Sequence, residues 1–341
     1  MYRVGIIGCG NIARMHVEAL KNIRGTEICA FADQDLDKAL QYREQMKIPS
    51  VPCYSSLREM LEREKLDVLH ICTPHYLHVP MAIQALQADV HVFMEKPPAI
   101  SIEEFEILKK EKIRRGKQVG VCFQNRYNET TEKIREILCE KTLGNPVGAR
   151  TFLTWDRNAD YYVKSGWRGQ WDKEGGGVLI NQAIHTLDLL VYFLGKPQMA
   201  EAFFCNHHLS DVIQEEDTLE AYIRFASSTA CFYATTAYVE DSPVLIEILC
   251  QEGKIRMEGN KLSVFYKKGN KVEYDFESAP TGIGKNYWGN SHGVCIQDFY
   301  NSLSEERPYR NDLESTEETF KLVMGIYDSA RNDHMVTWEK E

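Results

Sequence analysis

Two sets of residues carry chemistry by type and spacing. Val90-His91-Val92-Phe93-Met94 runs an apolar strand into Glu95, Lys96 and two prolines, Pro97 and Pro98. In an open α/β sheet the ligand crevice lies outside the carboxyl ends of the strands, so a lysine fixed there by a rigid turn points at whatever is bound. The second set sits on an apolar helix predicted over Val178–Leu194, behind Gly175-Gly176-Gly177. Asn181, His185 and Asp188 fall at i, i+4 and i+7 and would share one face. Lysine and histidine hold and move protons, whereas an asparagine can orient a partner but takes no proton. The plainer alternatives are a surface lysine at a strand exit and a hydrogen-bonded core histidine. Three polar groups on one buried face nonetheless each need a partner.

A third motif binds rather than reacts. Gly8, Gly10 and Ala13 form G-x-G-x-x-A after a strand and at the start of a helix. Gly8 permits the tight turn, Gly10 lets the backbone approach a pyrophosphate, and Ala13 lets helix and strand pack closely. Asn11 and Ile12 open the helix, whose N-terminal N–H groups favour phosphate. Asp33 follows 20 residues past Ala13, at the end of the next strand, where an acid binds a ribose 2′-hydroxyl. A carboxylate there repels a 2′-phosphate, and Lys38 is the nearest cation, so NAD is favoured over NADP. Thr73, Pro74 and His78 end the neighbouring strand and would face the same cofactor crevice, with Glu95 and Lys96 beside them.

These groups must be positioned by two kinds of architecture. Over the first 120 residues short apolar strands alternate with amphipathic helices, which means a doubly wound parallel sheet. Ser101 and Glu104 fit a capping box for the helix that runs to about Arg115. Beyond residue 123 the chain becomes strand-rich. Runs at 218–225, 229–238, 244–249, 254–258, 262–266 and 272–276 are separated by turn signals, which means antiparallel meanders. The predicted boundary divides a dinucleotide-binding domain, 1–122, from a second domain, 123–341. The 341 residues carry a net charge of −10 with no basic stripe, which argues against nucleic acid and anionic membrane as partners. The ten cysteines are scattered, without metal-ligand spacing, and suggest a reducing cytoplasm. No metal site is expected, and no apolar run reaches the length of a membrane span.

Taken together, Gly8 to Ala13, Thr73-Pro74, Glu95-Lys96-Pro97, Trp167-Arg168, Gly175 to Gly177, Asn181 through His185, and Ser291-His292-Gly293 with Gln297-Asp298-Phe299 resemble the Gfo/Idh/MocA family. The resemblance spans nearly the whole chain. It implies an N-terminal Rossmann domain and a C-terminal α/β domain with an open, mostly antiparallel sheet that often builds a homodimer or homotetramer. It implies oxidation of a secondary alcohol on a sugar, glycoside, sugar nucleotide or inositol, or the reverse reduction, with a nicotinamide cofactor. The family's catalytic lysine matches Lys96 and its catalytic histidine His185. Where many members carry an aspartate one turn before that histidine, this sequence has Asn181. His185 would then be the general base, with Lys96 stabilising alkoxide charge, or the two roles would be exchanged. Asn125, Arg126, Trp155, Trp167, Arg168, Tyr287 and His292 offer aromatic and polar groups for a carbohydrate ring, although either arginine could simply form an ion pair. Two other readings keep the fold: a tightly bound, recycled NAD acting in glycosyl transfer or hydrolysis, and a dinucleotide-sensing regulator without chemistry.

Overall fold

The computed structural model describes residues 1–276 and 291–338. Tyr287 lies outside the described residues. The described chain forms two compact units, residues 1–124 with 291–316, and residues 125–276 with 317–338.

The first unit begins with β1 (Tyr2–Ile7), α1 (Ala13–Asn22), β2 (Thr26–Ala32) and α2 (Leu36–Gln45). It continues through β3 (Cys53–Tyr54), α3 (Leu57–Arg63), β4 (Val68–Ile71), α4 (His78–Gln87), β5 (His91–Met94), α5 (Ile102–Arg115) and β6 (Val119–Val121). The strands lie in the order β3-β2-β1-β4-β5-β6, every pair parallel. That is the order of a dinucleotide-binding sheet, whose strand order reverses beside β1. All four β4 residues are buried, as a sheet covered on both faces requires. Ser101 caps α5 by accepting from the Glu104 N–H, and the Glu104 carboxylate accepts from the Ile100 N–H. The sixth strand, β3, is two residues long and too short to leave a periodic signal.

The compact units differ from the expected domains in one segment. The first unit runs to residue 124, close to the expected end, but it also holds residues 291–316, which the sequence reading gives to the second domain. The helix His292–Ser304 (α10) packs against α1. Phe299 meets Phe93 at 5.2 Å between ring centroids. The segment after α10 then lies along β6, where Val121 N–H donates to Asn311 O and Leu313 N–H to Val119 O. Apolar burial against the sheet, not proximity in sequence, assigns this helix.

The second unit is built on a nine-stranded sheet. Its elements are α6 (Glu129–Glu140), β7 (Pro146–Thr154), α7 (Ala159–Val163), α8 (Trp171–Glu174), α9 (Ile184–Leu194), β8 (Pro197–Cys205), β9 (Thr218–Phe225), β10 (Thr229–Thr235), β11 (Leu245–Cys250), β12 (Gly253–Glu258), β13 (Lys261–Tyr266), β14 (Lys271–Asp275), α11 (Glu317–Asn332) and β15 (Val336–Thr337). The order is β14-β13-β12-β11-β7-β10-β9-β8-β15. Every pair is antiparallel except β10 with β7, which run parallel. Sequence reasoning finds β9 to β14 but misses β7 and β8. Pro146 and Gly148 weaken the strand signal of β7, and a register shift between Pro197 and Met199 interrupts β8. One sheet face buries Ile246, Ile248, Ile255, Leu262 and Val264 against Ile134 of α6 and Leu189 of α9. The stretch Trp171–Leu194 does reach the length and hydropathy of a membrane span, contrary to the sequence reading, but 72% of its most apolar window is buried inside the fold, as in a core helix.

Candidate active site

In the first unit the glycine loop has the shape its sequence requires. Gly8 adopts φ +89°, and a Cβ there would lie 2.6 Å from the Cys72 carbonyl oxygen, so no other residue fits. Above Gly10 nothing lies within 4 Å of a built Cβ, which leaves the backbone approachable. Ile12 caps α1 with no side-chain hydrogen bond, and no acid sits in the first turn. The helix end therefore keeps its positive polarity, as a pyrophosphate demands. Asp33 is buried at the end of β2 and accepts from Cys9 N–H at 2.8 Å and from Lys38 Nζ at 3.0 Å. The residues present fit a dinucleotide.

At the next two strand ends, His78 ties the turns together. Its ring nitrogens lie 2.8 Å from Pro97 O and 2.9 Å from Thr73 O. The ring is fully buried, so it braces Thr73-Pro74 against the lysine turn. Lys96 follows β5 and joins Pro97 through a cis peptide bond.

Behind Lys96 runs a buried polar chain that sequence reasoning misses. Glu95 Oε1 lies 2.9 Å from His16 Nε2, His16 Nδ1 lies 2.8 Å from His70 Nδ1, and His70 Nε2 lies 2.9 Å from the Tyr300 hydroxyl. Burial works against the charge on Glu95, yet the hydrogen bond and charge of His16, with His292 and Lys96 behind, hold its carboxyl at about 2. His16 donates to the ionised Glu95 in either state: a neutral His16 accepts from His70, which accepts from Tyr300, whereas a charged His16 donates to His70, which donates to Tyr300. A readable signal existed. His16 falls in step with Ala13, Val17 and Leu20 on the buried face of α1. His292, expected among substrate contacts, is buried in this same unit, and burial brings its imidazolium down to about 4. His16, Glu95 and Cys122 are also the one group of possible metal ligands among the described residues, within 4.8 Å of one another. His16 and Glu95 spend the relevant atoms on each other.

In the second unit the three glycines serve the protein's own packing. A side chain at Gly176 would strike the Tyr327 hydroxyl, and one at Gly177 the Glu216 carbonyl. Glu216 accepts from the Gly177 and Leu179 N–H groups and from Tyr327. The helix behind is not the regular one expected. Leu179–Ala183 forms a π turn before α9, a feature frequent at functional sites. Asn181 and Asp188 then find separate partners. Asn181 Nδ2 donates to Glu174. Asp188 is taken by Arg126, with Nη2 at 2.5 Å and Nε at 2.8 Å, and by the Thr319 hydroxyl at 2.8 Å. His185 remains partly exposed.

Of the other expected substrate residues, Arg126 is fully buried and forms the ion pair that was the alternative to a ligand clamp. Arg168 lies between aromatic faces, 4.6 Å from Tyr161 and 4.7 Å from Trp167. Trp155 is buried and donates its indole N–H to Ser242 O at 3.1 Å. Asn125 is partly exposed, and its carbonyl accepts from Thr131.

Matching of family profiles decides the lineage. The oxidoreductase family's NAD-binding Rossmann fold matches residues 2–123, and its C-terminal alpha/beta domain matches residues 135–338. The chain belongs to the Gfo/Idh/MocA family. The D-glucoside 3-dehydrogenase of Escherichia coli K12 is 32% identical over 57% of this chain and 54% of its own. The myo-inositol 2-dehydrogenase of Thermotoga maritima is 25% identical over 66% of this chain and 65% of its own. The chain thus spans about half to two thirds of the length of the curated relatives it matches. The WlbA dehydrogenase from Bordetella pertussis, solved in complex with NADH and UDP-GlcNAcA, aligns with a TM-score of 0.86 at 25% identity, over 100% of this chain and 99% of that one.

Within this Gfo/Idh/MocA fold, Glu215 stores a stability cost. Burial, with the charges of Glu216 and Glu174, lifts its carboxyl to about 9. Its Oε1 is buried without a hydrogen-bond partner. A raised carboxyl contributes stability that is fully present below its ordinary value and is lost as pH rises through 9. Thermal melts should therefore show a falling Tm between about pH 5 and 9, and Glu215→Gln should flatten that slope and raise Tm at alkaline pH by about 5 °C. Superimposable melting curves for the two proteins at alkaline pH would refute this.

Proposed function

We propose that this protein transfers a hydride between NAD and a secondary alcohol of a sugar, glycoside, sugar nucleotide or inositol. The observation that carries this reading is the strand end of the first unit. Lys96 stands two residues past the end of β5, between buried Glu95 and Pro97, in the same sheet whose first strand feeds the open glycine loop. Gly8, Gly10, Asn11 and Ile12 would hold the phosphates, Asp33 the adenosine ribose, and Thr73, Pro74 and Glu95 the nicotinamide end, with His78 bracing the turn. When bound, NAD supplies the hydride acceptor.

The protein's own part is proton handling. His185 takes the hydroxyl proton while Lys96 hydrogen-bonds the same oxygen and stabilises its developing charge. Asn181, Asn125, Trp155, Trp167, Arg168 and His292 contribute to substrate binding, whereas Arg126 holds Asp188. NAD is the working cofactor because the Asp33 carboxylate disfavours a 2′-phosphate. Lys38, paired to Asp33, is the residue that would soften that preference. The sheet face opposite the helices exposes Phe152, Phe203, Tyr222 and Leu249, which supports assembly as a homodimer or homotetramer. All ten cysteines are free, which supports a reducing compartment such as the cytoplasm.

The test is NADH formation across inositols, hexoses, glycosides and nucleotide sugars, with NADP in parallel. An NAD-linked reaction with one class supports the reading. Silence across the panel, with no NAD released on denaturation, would reject it.

A further inference from the structure

We propose that Arg168 is an anion subsite: its guanidinium takes a carboxylate or phosphate of the substrate, which is therefore an acidic sugar derivative (a sugar acid, a sugar phosphate or a nucleotide-linked sugar) and not a neutral polyol. This rests on the dehydrogenase reading above and narrows its substrate class.

The charge is unmatched within the second unit. Arg126 is taken by Asp188, and Arg157, which shares the Tyr161 ring with Arg168, pairs with Asp241 at 2.6 Å. Arg168 is half-buried and forms no ion pair among the described residues, and its Nε is buried without a hydrogen-bond partner. Glu174 lies close enough to feel its charge, but its two oxygens already accept from Gly169 N–H and Asn181 Nδ2. Burial also lifts the Glu174 carboxyl to about 7, so it is only partly ionised near neutral pH. A desolvated cation without an opposite charge is costly, and an anionic ligand removes that cost.

The group is also held in place. Its Cζ lies 4.6 Å from the Tyr161 ring centroid and 4.7 Å from that of Trp167. Stacking engages the faces of a guanidinium, whereas its N–H donors lie in the plane, so neither ring consumes a donor. The backbone beneath is fixed. Ser165 Oγ accepts the Arg168 N–H at 2.9 Å and donates to Tyr162 O at 2.7 Å. Gly169 then turns at φ +71°, where a side chain would strike Ile213. The Tyr161 hydroxyl accepts from Gln182 Nε2 at 3.2 Å. Gln182 belongs to the π turn, three residues before His185, so the arginine is tied to the segment that carries the proposed proton acceptor. Gln182 is 6% exposed, and its Oε1 has no hydrogen-bond partner. Unmet donors on Arg168 and an unmet acceptor on Gln182 suit a ligand that carries both an anion and hydroxyls. A planar fork meets a carboxylate or phosphate at two points, whereas a neutral hydroxyl would leave the charge unanswered.

The experiment compares matched substrates with NAD: a neutral hexose, its phosphate, the corresponding hexuronic acid and the nucleotide-linked hexose, with an inositol as a second neutral compound. The parent should prefer an acidic member over the neutral ones by about 30-fold or more in kcat/KM, the size of hydrogen bonds to a charged group. Which acidic member wins separates carboxylate from phosphate. Arg168→Met keeps a long side chain against the rings and removes the charge, and it should lower that preference by about 30-fold, through KM and not kcat. Arg168→Lys keeps the charge without the fork and should lower the preference by about threefold to tenfold. Because Arg168→Met strands no acid, its Tm should stay within about 2 °C of the parent. Calorimetric titration of the parent and of Arg168→Met with the same acids, NAD present, reads the subsite without turnover. Neutral compounds used as well as acidic ones, an Arg168→Met protein that keeps the preference, or a Tm drop of about 5 °C or more, the mark of a structural cation, overturn the proposal. If nothing is turned over, acid binding that is lost in Arg168→Met upholds the subsite and places the failure on the dehydrogenase reading, whereas no acid binding to the parent overturns the subsite itself.

Discussion

Replacing Lys96 or His185 by alanine should lower kcat by about 100-fold or more in each case, the usual size of a positioned acid–base contribution. NADH binding, followed by fluorescence titration, should survive both changes, because the glycine loop and Asp33 are untouched. Lys96→Arg separates the two assignments of the proton. Arginine keeps the positive charge but does not give up its proton at working pH. If Lys96 only stabilises charge, the arginine variant retains a measurable part of kcat and the pH profile keeps a histidine-like limb. If Lys96 is the proton acceptor, Lys96→Arg is as inactive as Lys96→Ala. Near-normal turnover in both alanine variants would remove the proposed roles altogether.

The second large effect is on stability. Arg126 and Asp188 form a two-point ion pair with side chains 3% and 1% exposed. Thr319 of α11 adds a third hydrogen bond, and the Tyr192 ring lies 4.9 Å from the guanidinium. Removing either partner leaves an uncompensated buried charge, which costs about 3–5 kcal/mol. At roughly 2–4 °C per kcal/mol for a unit of this size, Arg126→Ala or Asp188→Ala should lower Tm by about 10 °C. The double replacement Arg126→Met with Asp188→Leu should be milder than either single change, because no charge is stranded. Melts of the three variants decide it, and single variants within 2 °C of the parent would show that the pair is not what ties the turn at Gln124–Tyr127 to α9.

Most of the first unit was legible because its signals are local. Tyr2–Ile7 is a strand with the bounds its sequence suggests, and Gly8, Gly10 and Asp33 take the places their spacing demands. What escaped was long-range. His70 and Tyr300 are 230 positions apart and meet in one hydrogen bond. Nothing in either neighbourhood announces the other. On the helix side, the i, i+4, i+7 stripe was correctly seen as needing partners. Its assumption of a regular α-helix failed at the π turn, which depends on Glu216 and Tyr327 from distant segments. Asp188 shares the stripe with Asn181 and His185 and anchors Arg126, because spacing reports direction and not company.

The two-part composition of the first unit has a consequence for how the protein is made. Strands β1 to β6 leave the ribosome first, yet Phe299, Tyr300 and the segment along β6 emerge only after β7 to β14 of the second sheet. At about 5–20 residues per second, the nascent nucleotide-binding half waits roughly 10–30 s for its closing helix. During that interval the buried face of α1, with His16 and Val17, and the ring of Phe93 lack their final cover. Vectorial synthesis thus completes the earliest module only after most of the second sheet has been made.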